Sequence, residues 1–145
     1  MIGRATDANG TWKAVRAPHG KKLKALPSQD LGARAVSVNN SDVVVANVKD
    51  RSLRWSGTGT AITELELLRG SGHTFVRGIN DAGTSIGNSD ERAVTWDAQG
   101  KVTALPTPGG LDKADPVAIN AAGSIAGNLA DARGWPVQWR AVVWR

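Results

Sequence analysis

One motif recurs along this chain at a near-constant period, and that recurrence limits the fold more than any other feature. Asn39, Asn80 and Asn120 are spaced by 41 and 40 residues. Each ends a short apolar run: Ala35 to Val38, Phe75 to Ile79, and Pro116 to Ile119. Each opens a polar turn: Asn40-Ser41-Asp42, Asp81-Ala82-Gly83 and Ala121-Ala122-Gly123. A second apolar run ends in a small residue and Asn, at Ala46-Asn47, Gly87-Asn88 and Gly127-Asn128. A third closes on tryptophan, at Ser52 to Trp55, Ala93 to Trp96 and Ala141 to Trp144. A glycine-bearing turn follows at Gly57 to Gly59 and at Asp97 to Gly100, and a fourth run carries Leu65 and Leu67 or Leu105.

The first copy is cut and diverged. Ile2-Gly3-Arg4 fits the second run, and Trp12 to Ala17 fits the third, with Ala17 where tryptophan is expected. His19-Gly20 is its turn and Leu23 to Leu26 its fourth run. The match of Trp12-Lys13-Ala14-Val15 to Trp139-Arg140-Ala141-Val142 supports this register. In strand letters the chain reads b-c-d, a-b-c-d, a-b-c-d, a-b-c. The units run over 1–32, 33–72, 73–113 and 114–145, the first and last partial, within one repeat domain.

The runs read as strands. They are short, rich in Val, Ile, Thr and Trp, and bounded by Gly, Asn, Asp and Pro. Leu65 and Leu67 interleave with Glu64 and Glu66, which predicts one buried and one wet face. Asn80-Asp81-Ala82-Gly83 is hairpin chemistry, with Gly supplying positive φ where the chain re-enters a strand. No window of a dozen residues carries a helical apolar stripe, and 17 glycines and 6 prolines penalise long helices. Four short strands in about forty residues is the size of one propeller blade. The expected fold is an all-β, antiparallel, β-propeller-like array of four units, two of them complete. The repeated tryptophans Trp12, Trp55, Trp96 and Trp144 are expected to fill the spaces between blades.

Bulk properties bound the rest. At 145 residues and 41% apolar content, the chain is one domain with a real core. There is no apolar run long enough for a membrane span, and Met1-Ile2-Gly3-Arg4 shows no signal-peptide pattern. The absence of cysteine removes disulfides, thiolate catalysis and cysteine-based zinc sites. The net charge of +5 is concentrated at the two ends. Arg4, Lys13, Arg16, Lys21, Lys22 and Lys24 crowd the first 24 residues, and Arg133, Arg140 and Arg145 the last thirteen. If the chain closes into a ring, these ends meet as one basic flank. That flank either serves an anionic partner or merely solubilises exposed hairpins. No nucleic-acid motif accompanies it, so nucleic acid is disfavoured.

The derived pattern is A-x-x-I-N-x-x-G, an apolar pair with glycine, then A-V-x-W and a glycine turn. Gly78 to Gly83, Ile86-Gly87 and Ala93 to Trp96 carry it, as do Ala118 to Gly123, Ile125 to Gly127 and Ala141 to Trp144. A weaker copy is Ala35 to Trp55, with Ser41-Asp42 in place of the glycine. This resembles the HAF family of probable extracellular repeats of bacteria, over roughly 110 residues. The resemblance implies a propeller-type array at the cell surface or beyond, with no established chemistry. The short count of units implies either tight closure, a second chain completing a larger ring, or a piece of a longer protein.

Candidate sites follow. Trp135 and Trp139 lie off the repeat phase. With Arg133, Arg140, Lys21 and Lys22 they are the candidate ligand-binding residues, stacking on a sugar ring or packing at a seam. Asn39, Asn80 and Asn120 are expected to cap their own turns rather than present amides to a ligand. Asn80-Asp81-Ala82-Gly83 and Asn39-Asn40-Ser41-Asp42 each offer a single carboxylate, too few for calcium. His19 and His73 lie in different turns, and Asp90-Glu91 and Glu64-Glu66 read as solvated strand-edge charges. No nucleophile elbow appears, and Gly57 to Thr60 is no phosphate cradle because no helix follows. No cofactor or metal is implied. The expected function is recognition of a surface ligand, glycan or protein. The alternatives are a propeller-based hydrolase or lyase, which a deep pocket with two or more ionisable groups would favour, and a binder of an anionic polymer.

Overall fold

The computed structural model describes residues 1–17, 22, 24–26, 32–57, 61–109, 111, 113–131 and 137–145. Among these residues every regular element is a strand. The first sheet holds β1 (Ile2–Thr6), β2 (Trp12–Arg16) and β3 (Lys24–Ala25). The second holds β4 (Arg34–Val38), β5 (Val44–Val48), β6 (Arg51–Trp55) and β7 (Ile62–Glu64). The third holds β8 (Thr74–Ile79), β9 (Ser85–Ser89), β10 (Arg92–Trp96) and β11 (Val102–Ala104). The fourth holds β12 (Lys113–Ile119), β13 (Ile125–Asp131) and β14 (Gln138–Trp144). All pairing is antiparallel between consecutive strands. The chain is therefore an all-β, propeller-like array, as the repeat predicts.

The turns explain the register. In the third unit the Gly83 amide bonds the Asn80 carbonyl, and the Asn80 amide bonds the Thr84 carbonyl. Gly83 holds φ at 86°, a region where a Cβ would be strained. The equivalent residue of the second unit is Asp42, at φ 59°, which the short polar side chain tolerates. Each first strand also carries an irregularity at the same place: between Ala35 and Ser37, Val76 and Gly78, and Pro116 and Ala118.

Burial is organised between sheets. Ala14 and Leu26 of the first unit pack with Val44, Ala46, Val48 and Trp55 of the second. Val43, Val45 and Leu65 of the second pack with Val76, Ile79, Val94 and Trp96 of the third. Ile86 and Ala93 of the third pack with Ala114, Ile125, Leu129 and Trp144 of the fourth. Strand β5 is buried along its whole length because alternate residues serve two interfaces. Each fully buried Val there contributes about 1.5–3 kcal/mol.

Trp55, Trp96 and Trp144 are buried, as expected. Two of them reach back to the preceding unit: the Trp96 indole N–H donates to the Glu66 carbonyl and that of Trp144 to the Pro106 carbonyl, both at 2.8 Å. Trp12 is different. It is 46% exposed, with the Arg4 guanidinium 4.3 Å above its ring. It starts β2, and Trp139 lies likewise within the first two residues of β14, so it sits at the sheet's end instead of filling an interface. The expected alternation at Leu65 and Leu67 also stops early. Leu65 is buried, but Leu67 is exposed. The strand ends at Glu64, and Glu66 already bonds the third sheet through Gly100 and Trp96.

Packing runs in chain order, β1 on β4, β4 on β8 and β8 on β12, with no comparable packing between β12–β14 and β1–β3 among the described residues. Among the described residues the array is an open arc, and the described basic residues of the first and fourth sheets do not merge into one flank, contrary to what ring closure within the chain requires.

Candidate functional site

The connections from a fourth strand to the next first strand emerge on the same side of the array as the turns between second and third strands. Between the third and fourth sheets this side forms a groove of about 290 Å³. It is lined by His73, Phe75 and Arg77 from β8 and its approach, by Asn88 of β9, and by Asp90 and Glu91 from the β9–β10 turn. Lys113, Ala114 and Asp115 of β12 and Trp139 of β14 complete it.

Asp90 is the hinge of the local structure. It takes a left-handed backbone, φ 52°, in a two-residue turn. Its carboxylate accepts the amides of Gly72 and His73 at 3.1 Å and lies 2.9 Å from Nδ1 of His73. Desolvation pushes this carboxyl upward, but the summed hydrogen bonds from Gly72, His73 and Ser71 outweigh it. With the nearby His73 charge they hold it below the ordinary aspartate range. Asp90 thus clips the incoming linker onto the turn and fixes the orientation of the His73 ring.

Two further ion pairs cross from the third sheet to the fourth. Arg77 meets Asp115 at 2.8 Å, and Glu91 meets Lys113. The Arg77 guanidinium also lies 5.1 Å from the centre of the Phe75 ring. These groups are all partly exposed, so each pair is worth about 0–1 kcal/mol to stability and serves mainly to set positions. Phe75 and Trp139 remain 41% and 61% exposed, and both line the groove.

The groove answers the sequence expectations unevenly. Trp139 lines it. Arg140 is exposed on the same strand but is not part of the lining. Lys22 is exposed between β2 and β3, in the first unit. Lys21, Arg133, Trp135 and His19 lie outside the described residues. The asparagines cap their own turns: Asn39 Oδ1 accepts the amides of Ser41 and Val43, Asn80 that of Thr84, and Asn120 that of Ser124. They also do what the sequence did not suggest. The Asn39 amide donates to the Asn80 carbonyl, and the Asn80 amide to the Asn120 carbonyl, both at 3.1 Å, so the caps tie unit to unit. The carboxylate of Asp81 is likewise taken up by the backbone and side-chain amides of Asn40.

His73 and Asp90-Glu91 were legible as charges but not as partners, because they lie 17 and 18 residues apart. Phe75, Arg77, Lys113 and Asp115 carry a usable signal. Phe75 occupies the position of Arg34 and Asp115 in the other units, and Arg77 that of Val36 and Val117. An aromatic and a cation on otherwise variable, outward positions mark a local departure from the repeat.

The groove contains several ionisable groups, but it is open rather than deep, and each group has a counter-charge. A second cavity, of about 430 Å³, lies between the same sheets near Thr95, Gly123 and Trp144. It has a structural origin. Arg16 donates to the Asp42 carbonyl and Arg54 to the Gly83 carbonyl, filling the equivalent space at the first two interfaces. Thr95 is too short to do so at the third.

No family model matches the chain, and no curated protein matches it. Solved structures do. The chain is similar to virginiamycin B lyase from Staphylococcus aureus, at 12% identity and a TM-score of 0.56, over 97% of this chain and 55% of that one. It is similar to a streptogramin B lyase at 14% identity and 0.55, over 94% and 53%. It is also similar to a gluconolactonase from Xanthomonas campestris at 16% and 0.51, over 97% and 47%. The chain thus spans about half the length of these structures, and at such identities the likeness establishes the propeller-like fold alone.

Proposed function

We propose that this chain is a binding module whose ligand is a glycan, held in the groove between the third and fourth sheets. The observation that carries the reading is the pairing of two exposed aromatic rings, Phe75 and Trp139, with a row of carboxylates and cations in one open groove. A flat ring covers the apolar face of a sugar, while the charged groups bond its hydroxyls. An open, wet groove suits binding better than chemistry, which gains most where water is excluded. Surface exposure of the protein, implied by the HAF-like repeat, is part of the same proposal. The test is a glycan array followed by calorimetry. Trp139→Ala and Phe75→Ala each weaken the selected glycan at least tenfold while thermal unfolding stays within a few degrees. No glycan binding, or binding unaffected by both changes, overturns the proposal. Capture of a protein through the same residues replaces it with the protein-ligand reading.

A hydrolase or lyase reading rests on one specific feature, the His73–Asp90 pair at 2.9 Å. Asp90 orients the imidazole, which leaves Nε2 for proton transfer. The structurally similar lyases and lactonase supply the classes to assay. Under this reading, turnover of a lactone such as gluconolactone is lost in His73→Gln. Under the binding reading no turnover is seen, and His73→Gln leaves glycan affinity within a few fold. Binding of an anionic polymer by the basic ends predicts a steep loss of affinity with salt, whereas aromatic stacking does not.

A further inference from the structure

The fourth sheet presents to solvent the same face that every earlier sheet buries against its successor. In the second unit that face carries Val36, Val45, Asn47, Ser52 and Arg54, and in the third Arg77, Ile86, Asn88, Ala93 and Thr95. Val45, Ser52, Ile86 and Ala93 are 0% exposed there. Strand pairing places Val117, Ala126, Asn128, Ala141 and Val143 at the corresponding positions of the fourth unit. Val117 and Val143 are 57% and 55% exposed, and Ala126 and Ala141 are exposed too. Asn47 donates to the Val76 carbonyl and Asn88 to the Ala114 carbonyl, each across the interface to the next unit. The Asn128 side chain makes no such bond to another described residue.

The opposite end of the arc has the complementary opening. By pairing, the leading face of the first sheet carries Gly3, Ala5, Lys13 and Val15, with Ala17 beyond them, where the fourth sheet has Gly127, Leu129, Arg140, Val142 and Trp144. It carries no tryptophan; Val15 on it is buried, and Gly3, Ala5, Lys13 and Ala17 are partly exposed. Small side chains at Ala126 and Ala141 on one face and at Gly3, Ala5 and Ala17 on the other permit close approach of two sheets. The arc has an exposed trailing face and a partly exposed leading face and spans 47–55% of the solved structures of similar fold, so two copies match their length.

We infer that a second copy of this chain covers the open faces head to tail, the fourth sheet of each copy packing on the first sheet of the other. Two identical heterologous junctions then close one ring. The contact continues the three interfaces already in the chain, with Val143 and Ala126 on one side and Ala5 on the other.

The test is light scattering across a concentration series on the intact chain. The expected mass is twice 15.2 kDa, falling toward the monomer on dilution. Val143→Glu on the trailing face and Ala5→Glu on the leading face are each expected to give monomer alone. Their mixture regains dimer, because the mixed pair retains one undamaged junction. Tryptophan fluorescence and circular dichroism report whether each variant is folded, and Ala126→Glu stands in if Val143→Glu is not. Monomer at every concentration overturns the inference. So does a dimer that only the trailing-face variant dissolves, which marks a face-to-face contact, and so does a dimer that neither variant affects.

Discussion

A single buried oxygen shows how the repeat was edited. Asn47 is fully satisfied: its carbonyl oxygen accepts from the Ser52 hydroxyl and the Val76 amide, and its amide donates to Val76. One unit later Asn88 keeps its donor contact, to Ala114, but its Oδ1 is buried without a partner. Both lost donors are visible in the sequence. Ala93 replaces Ser52, and Pro116, which has no N–H, replaces Val76. Ala93→Ser is therefore expected to raise stability by about 0.5–1.5 kcal/mol, the net value of one hydrogen bond. Urea unfolding followed by tryptophan fluorescence checks this, and an unchanged or lower midpoint with the same slope counts against it. The indoles make a converse case. Trp96→Phe leaves the Glu66 carbonyl without its donor and removes ring volume from a fully buried site, at an expected cost of about 1–3 kcal/mol.

At the scale of the element, turns and strands are held by contacts that differ in how they respond to pH and to repair. The β9–β10 turn depends on an ionised Asp90. Its carboxyl is held below the ordinary value of 3.8, so this contribution is complete above that value and is lost as pH falls through the lower folded value. In an NMR titration the Gly72 and His73 amide shifts are expected to move below pH 3.8, and in Asp90→Asn to lose that step. A step at or above 3.8 in the native chain contradicts the geometry. The Arg54 stitch offers a repair experiment. Burial pulls its guanidinium below the usual value, while the neighbouring Asp97 carboxylate counters that. In the next unit Thr95 and Arg145 stand in the places of Arg54 and Asp97. The paired change Thr95→Arg with Arg145→Asp transfers the stitch and fills the cavity beside Gly123, for an expected gain of about 1 kcal/mol. Thr95→Arg alone gains less, because two like charges then share the space. Equal midpoints for the single and double variants argue against the transfer.

At the scale of the molecule, what was legible is what recurs. The spacing of Asn39, Asn80 and Asn120 and the tryptophans at Trp55, Trp96 and Trp144 specify strand order, turns and interfaces, because each contact repeats in sequence as well as in space. The groove was not legible for the opposite reason. Phe75, Arg77 and Asp115 matter where one unit departs from the others, and a search for recurrence discards departures. Trp12 misled because its spelling matches the repeat while its strand position does not. The same architecture makes a prediction about cooperativity. Stability in such an array is a sum over neighbouring interfaces, so units covered on both sides outlast units covered on one. The second and third sheets have two neighbours; the first and fourth have one. In the single chain, at concentrations where it is monomeric, backbone amides of β5 and β9 are therefore expected to exchange with solvent slowest, and those of β1–β2 fastest, in native-state hydrogen exchange. The first sheet lacks the tryptophan its neighbours use and has a single buried interface, so its opening free energy falls well short of global unfolding. Uniform protection across all four sheets of the monomeric Val143→Glu variant means that the array unfolds as one unit, and that the interface-by-interface account of its stability is wrong.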